Sequence, residues 1–149
     1  MNDPQFIHQL WLCAALIAAT AFVHGIFVAA AASIFRAVKG RARGVVRFLR
    51  DSVLLVVLVL WLMLAHLIEI GIWAGVYLHY DLFTEFETAL YFAAASYTTL
   101  GFGDVLLPVD WRLLSGATAA NGLLLFGLSA AFLFDATGQL RLAGGDRRS

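Results

Sequence analysis

The stretch Thr98-Thr99-Leu100-Gly101-Phe102-Gly103-Asp104 lies between long apolar runs and sets two glycines two residues apart. Glycine tolerates backbone regions closed to other residues, so consecutive carbonyls here can be turned to one side. A row of such carbonyls, with the Thr99 hydroxyl beside them, would replace the water shell of a dehydrated cation. Just before it, residues 86–97 predict an apolar helix roughly 18 Å long, too short to cross a bilayer. Thr84 can cap its first turn while Glu87 reaches back to the Thr84 amide. Glu85 and Glu87 also suit the positive end of the helix dipole, and the negative end aims at the glycine string. A half-helix that enters and returns is tolerated only where its non-helical return is buried in protein or lines water. One chain supplies part of a coordinating ring, so several copies related by closed rotational symmetry are expected.

The rest of the chain supplies the membrane this reading needs. Of 149 residues 62% are hydrophobic and 13% charged, with ten basic and ten acidic side chains cancelling. Mean hydropathy is +0.85, and soluble domains carry nearly twice this share of charge. The same composition excludes a disordered chain, and zero net charge argues against nucleic acid as a partner. The single Cys13 sits in an apolar run and reads as packing. Residues 10–35, 53–78 and 113–134 are each longer than the roughly 20 residues that span a bilayer. Tilt or protrusion is therefore expected. Residues 1–9 have no Lys or Arg, and 10–35 is too long for a signal's apolar segment, so a secretory leader is not expected. The expected class is an all-α integral membrane protein: three spanning helices plus a re-entrant helix and loop.

Lys and Arg set the orientation. Arg36, Lys39, Arg41, Arg43, Arg47 and Arg50 separate the first two spans, and Arg141, Arg147 and Arg148 follow the third. Asp81, Glu85, Glu87, Asp104 and Asp110 sit between the second and third. The positive-inside rule places the first linker and the C-terminus in the cytoplasm of a multi-pass plasma-membrane protein, with the N-terminus outside.

Thr98–Asp104, with the capped half-helix before it, resembles the selectivity-filter signature of potassium channels. Leu100 stands for the usual valine and Phe102 for the usual tyrosine, as in the two-pore-domain branch. The resemblance covers roughly 53–137 and fits bacterial members with two spans and one pore loop; the first span is additional. It divides the chain into an extra helix and basic linker (1–51), a pore domain (52–137) and a short tail (138–149). It implies a homotetramer conducting K+ passively, with no cofactor and no covalent chemistry. The ion ligands would be the Thr99 hydroxyl and the carbonyls of Thr99, Leu100, Gly101 and Phe102, with Gly103 completing the loop. Thr98, Asp104, Tyr91 and Trp111 would support it. Ala95 stands where many members carry a carboxylate behind the filter, so Tyr91 or Trp111 would bond Asp104 instead. Gly122 falls at the family's inner-helix hinge. Leu123, Phe126, Ala130 and Phe134 share one face below it, and Phe134 could form an apolar neck.

Three further features need a reading. Glu69 lies inside a span with His66 one turn before it, and depth counting brings His24 near both. An intramembrane ionisable residue is costly and points to function, so His24, His66 and Glu69 could sense protons or bind a metal; a hydrogen-bonded helix contact is the alternative. Arg36, Lys39, Arg43, Arg47 and Arg50 share a helical face that anionic lipid could meet. Ala21, Gly25 and Ala29 repeat every four residues, a pattern suited to packing on the second span. A metal-binding membrane enzyme or an accessory membrane subunit would be alternatives from other classes, but both leave the glycine string without a use.

Overall fold

A computed structural model describes residues 4–38 and 44–145. Helix α1 runs Pro4–Val38, α2 Gly44–His79, α3 Phe86–Tyr97 and α4 Arg112–Gly145, with a short 3-10 turn at Val109–Trp111. Three of these are long and apolar enough to cross a membrane. They reach about 50 Å at 1.5 Å per residue, well beyond the three apolar runs read from the sequence. In particular α4 continues unbroken past 137 to Gly145. Lys39, Arg41, Arg43, Arg147 and Arg148 lie outside the described residues.

Helix α2 ends in a Schellman motif. Asp81 takes φ 54°, Leu82 N–H donates to Tyr77 C=O at 2.9 Å and Asp81 N–H to Leu78 C=O at 3.0 Å. Aspartate is one of the few non-glycine residues that enters this left-handed region readily. The turn delivers the chain to α3. Its N-cap is Glu85, in extended conformation and with no side-chain capping bond. The expected Thr84–Glu87 capping box is therefore not formed: the helix begins one residue later, which breaks the three-residue spacing that box requires.

One half of the bundle is packed around Trp73, Tyr77, Phe92, Tyr97 and Leu114, the other around Phe35, Leu54, Leu58 and Ala136. The first span does not use its small-residue stripe: Ala21, Gly25 and Ala29 are exposed. Helix α1 instead buries Cys13, Leu16, Thr20, His24, Ala31 and Phe35. Polar partners select that face. Asn121 donates to Thr20 Oγ1 at 2.7 Å, Gln9 Nε2 to the Asp110 carbonyl at 2.5 Å, and Trp61 Nε1 to the Phe27 carbonyl at 3.0 Å. In the basic stripe, Arg50 and Arg47 meet Asp51 at 2.7 and 3.3 Å, and Arg47 also donates to the Leu140 carbonyl at 2.7 Å. Those two cations serve helix contacts, while Arg36 donates to Ser33 Oγ at 3.2 Å.

The buried Tyr77–Thr118 pair between α2 and α4 tests the polar side of this packing. The Thr118 hydroxyl donates to the Leu114 carbonyl at 2.8 Å, so the Tyr77 hydroxyl, 2.5 Å away, is the donor between the two. Tyr77→Phe leaves only a free lone pair and should cost about 1 kcal/mol, whereas Thr118→Val strands a buried O–H and should cost about 1–3 kcal/mol. Thermal unfolding of the purified protein in detergent should rank Thr118→Val below Tyr77→Phe. The opposite order would overturn the donor assignment.

Candidate functional site

The loop after α3 is built by alternating backbone hand. Thr99, Gly101 and Gly103 take φ of 61°, 53° and 77°, while Leu100 and Phe102 between them stay negative. Alternation of this kind turns successive carbonyls the same way. The opposite edge of the strand is tied back to the half-helix: Thr98 N–H reaches Ala94 C=O at 3.0 Å, Thr99 N–H reaches Ser96 C=O at 2.9 Å and Gly101 N–H reaches Ala95 C=O at 3.1 Å. The Thr98 hydroxyl adds a bond to the Ala94 carbonyl at 2.7 Å. Two glycines adopt this conformation freely, but Thr99 does so against its side chain, a local strain the surroundings must hold. The finished strand lies on an open surface of the chain, with Leu100 61% and Phe102 68% exposed.

Asp104 closes the loop by accepting from the Tyr91 hydroxyl at 2.7 Å. Tyr91 is thus the partner expected for it. Trp111 is not; its ring packs on Tyr80, with centroids 4.9 Å apart. The Tyr91 hydroxyl holds the Asp104 carboxyl below the usual aspartate range. Behind the loop, where Ala95 offers no side-chain partner, a cavity of about 130 Å³ is lined by Ala95, Ser96, Gly101 and Ser115 among others.

The far side of the half-helix is anchored in a buried polar cluster. Glu69 accepts from His24 Nδ1 at 2.9 Å and from the Tyr97 hydroxyl, with His66 Nδ1 at 3.3 Å. Tyr97 Oη lies 3.1 Å from His66 Nδ1, and Ser129 Oγ lies 3.1 Å from both His66 Nε2 and His24 Nε2. All five residues are buried. The three sequence candidates therefore do meet, and two unforeseen residues join them. A tyrosine ending an apolar half-helix and a serine inside a span were the available signals, since each needs a partner for its hydroxyl.

A family model described as ion channel matches residues 54–139, more than half of the chain. The chain belongs to this ion channel family. No curated protein and no solved structure matched it. The channel match takes in α2 from residue 54 onward, α3, the loop and α4 up to residue 139, and leaves α1 outside.

Two residues assigned to the channel's inner helix by resemblance have other neighbours. A methyl at Gly122 would overlap the Tyr97 carbonyl oxygen, so glycine lets the end of α3 seat directly on α4. Phe126 stacks on His66, ring centroids 4.0 Å apart. It is turned toward the cluster and away from the open side that Leu123 and Phe134 share, at 63% and 82% exposure.

Gly122→Ala should therefore displace the α3 terminus, lowering both ion flux and melting temperature. Gly75→Ala, with open space at its Cβ, should do neither; equal effects of the two would exclude the seating role. At the loop, removing the Tyr91 donor should release Asp104. Because the folded carboxyl is depressed, its ionised hydrogen bond persists above the ordinary aspartate range and is lost as pH falls below about 4. Tyr91→Phe should move the acid midpoint of flux upward, and an unmoved midpoint would mean the bond does not govern the loop.

Proposed function

We propose that the chain is one subunit of a homotetrameric, potassium-selective channel that conducts K+ passively across the plasma membrane. The observation that carries this reading is the alternation of positive φ at Thr99, Gly101 and Gly103 within a Thr-Thr-Leu-Gly-Phe-Gly-Asp string. A backbone so wound can present the carbonyls of Thr99, Leu100, Gly101 and Phe102, and the Thr99 hydroxyl, as one column of oxygens. Four such columns about an axis would replace the hydration shell of the permeant ion. Exposure of Leu100 and Phe102 in the single chain supports copies packed against this strand, since a lone strand of backbone has no partner in lipid.

In this reading Thr98, Gly103, Asp104 and Tyr91 hold the column in place, while Trp111 braces the turn into α4. The outer loop faces away from the cytoplasm, and the basic linker and C-terminus face inward. Exposed Phe134, nearest the inner end of α4, converges with its copies as an apolar neck that can close by dewetting. Gly122 permits bending of α4 only together with movement of Tyr97, because the two backbones touch.

Reconstitution into potassium-loaded liposomes tests the proposal. Wild-type protein should release K+ and exclude Na+. Gly101→Ala should abolish K+ flux without preventing insertion, because the methyl disfavours the left-handed backbone at that position. Equal K+ and Na+ flux in the wild type, or unchanged selectivity in Gly101→Ala, would remove the column as the selective element.

A further inference from the structure

The buried cluster behind the half-helix is a closed ring of five contacts: Glu69 to His24, His24 to Ser129, Ser129 to His66, His66 to Tyr97, and Tyr97 back to Glu69. Each contact needs one hydrogen. A carboxylate brings none, and two neutral imidazoles, one serine and one phenol bring one each. The ring is one hydrogen short. With His24 and Tyr97 both donating to Glu69, Ser129 donating to His24, and His66 Nε2–H donating to Ser129, the gap falls at His66 Nδ1. There an imidazole lone pair faces Tyr97 Oη at 3.1 Å and Glu69 Oε2 at 3.3 Å. Acceptors converging in this way need a cation between them.

We propose that this ring is a binding site for a divalent transition metal of the Zn²⁺ class, with His24 Nδ1, His66 Nδ1, the Glu69 carboxylate and Tyr97 Oη as donors. Ligand atoms of His24, His66 and Glu69 already lie within 4.8 Å of one another. A tetrahedral ion with bonds near 2.0–2.2 Å sets its donors about 3.4 Å apart. Three of the donor spacings, 2.9, 3.1 and 3.3 Å, need to open by a few tenths of an ångström, and the shorter Tyr97–Glu69 contact must open furthest. The outer partner is in place too. A metal on both Nδ1 atoms makes both Nε2 atoms donors, and the two lone pairs of Ser129 Oγ accept them.

Without a metal, a proton taken up from solvent would fill the gap, and a metal entering the ring displaces that proton. The positive charge it leaves sits beside Tyr97, at the negative end of the α3 dipole. An imidazole, carboxylate and phenol set of four suits Zn²⁺, Cu²⁺ or Ni²⁺, whereas Ca²⁺ and Mg²⁺ want six or more oxygens. A cleft of about 200 Å³ between α2 and α4, bordered by Met63, His66, Phe126 and Ser129, reaches the ring from the side. A bound metal would fix Tyr97, and with it the start of the Thr98–Thr99 strand, to α1 and α2.

Calorimetric titration of the full chain in detergent with Zn²⁺ alone tests this site. One ion per chain is expected, with no response to Mg²⁺ or Ca²⁺. His24→Gln and Glu69→Gln should each weaken binding at least tenfold, while the exposed-histidine double variant His8→Gln/His79→Gln should leave it unchanged. Absent binding would show a ring that holds a proton only. Binding indifferent to His24→Gln and Glu69→Gln, or lost in the double variant, would also overturn the site. If either ring variant fails to fold, X-ray absorption of zinc-loaded wild type decides. Two imidazoles with two oxygens support the proposal, and an all-oxygen shell rejects it. The measurement needs no ion flux, so its failure is separable from failure of the potassium reading.

Discussion

A helix of three turns cannot hold itself at a fixed depth in lipid. Its last carbonyls have no intrahelical partner, and the hydrocarbon offers no water to take their place. In α3 the burden falls on Tyr97. Its carbonyl is seated against Gly122, its hydroxyl is donated to Glu69, and Thr98 returns a hydroxyl to Ala94. Glu69 is held in turn by His24. Neutralising Glu69 would thus loosen His24 and Tyr97 together, and the strand that begins at Thr98 would lose the anchor of the residue just before it. The strained Thr99 backbone persists because both its flanks are tied: Thr98 and Gly101 to α3, and Asp104 to Tyr91.

Apolar helices in apolar solvent gain little from mutual burial, so van der Waals fit and interhelical hydrogen bonds decide their register. The polar contacts of this chain occur at several levels along the bundle: Gln9 on the 3-10 turn, Asn121 on Thr20, Glu69 on His24, and Arg47 on the Leu140 carbonyl. Each contributes on the order of 1 kcal/mol, but each also fails if the register slips by one turn. The small stripe Ala21–Gly25–Ala29 would have allowed closer approach on another face. It is exposed instead, because rotating α1 toward it would part Thr20 from Asn121 and His24 from Glu69.

Length, hydropathy and the glycine string were enough to read three spans, a half-helix at Phe86–Tyr97 and a loop whose carbonyls can turn to one side. These are properties of local composition, and composition is what a sequence displays directly. Depth counting also brought His24, His66 and Glu69 together, since antiparallel helices convert residue offsets into height. What stayed hidden depends on rotation about helix axes and on close backbone approach. Which face of α1 is buried, the contact of Gly122 with Tyr97, the turn of Phe126 onto His66 and the choice of Tyr91 over Trp111 all belong to that kind. The left-handed φ of Thr99 was hidden for a different reason. It is imposed on a residue with no intrinsic preference for it.

Helix α1 lies outside the matched channel region, and a pore domain of two spans would ordinarily be complete without it. Here the boundary does not hold physically. Without α1, Glu69 would lose the His24 donor, Asn121 would lose the Thr20 acceptor, and the Asp110 carbonyl at the entrance to α4 would lose Gln9. Glu69 and Asn121 are buried, and a hydrogen-bond partner lost there is far more costly than at a surface. Helix α1 supplies His24 to Glu69 and Thr20 to Asn121, so it is a structural part of the unit although the family match leaves it outside.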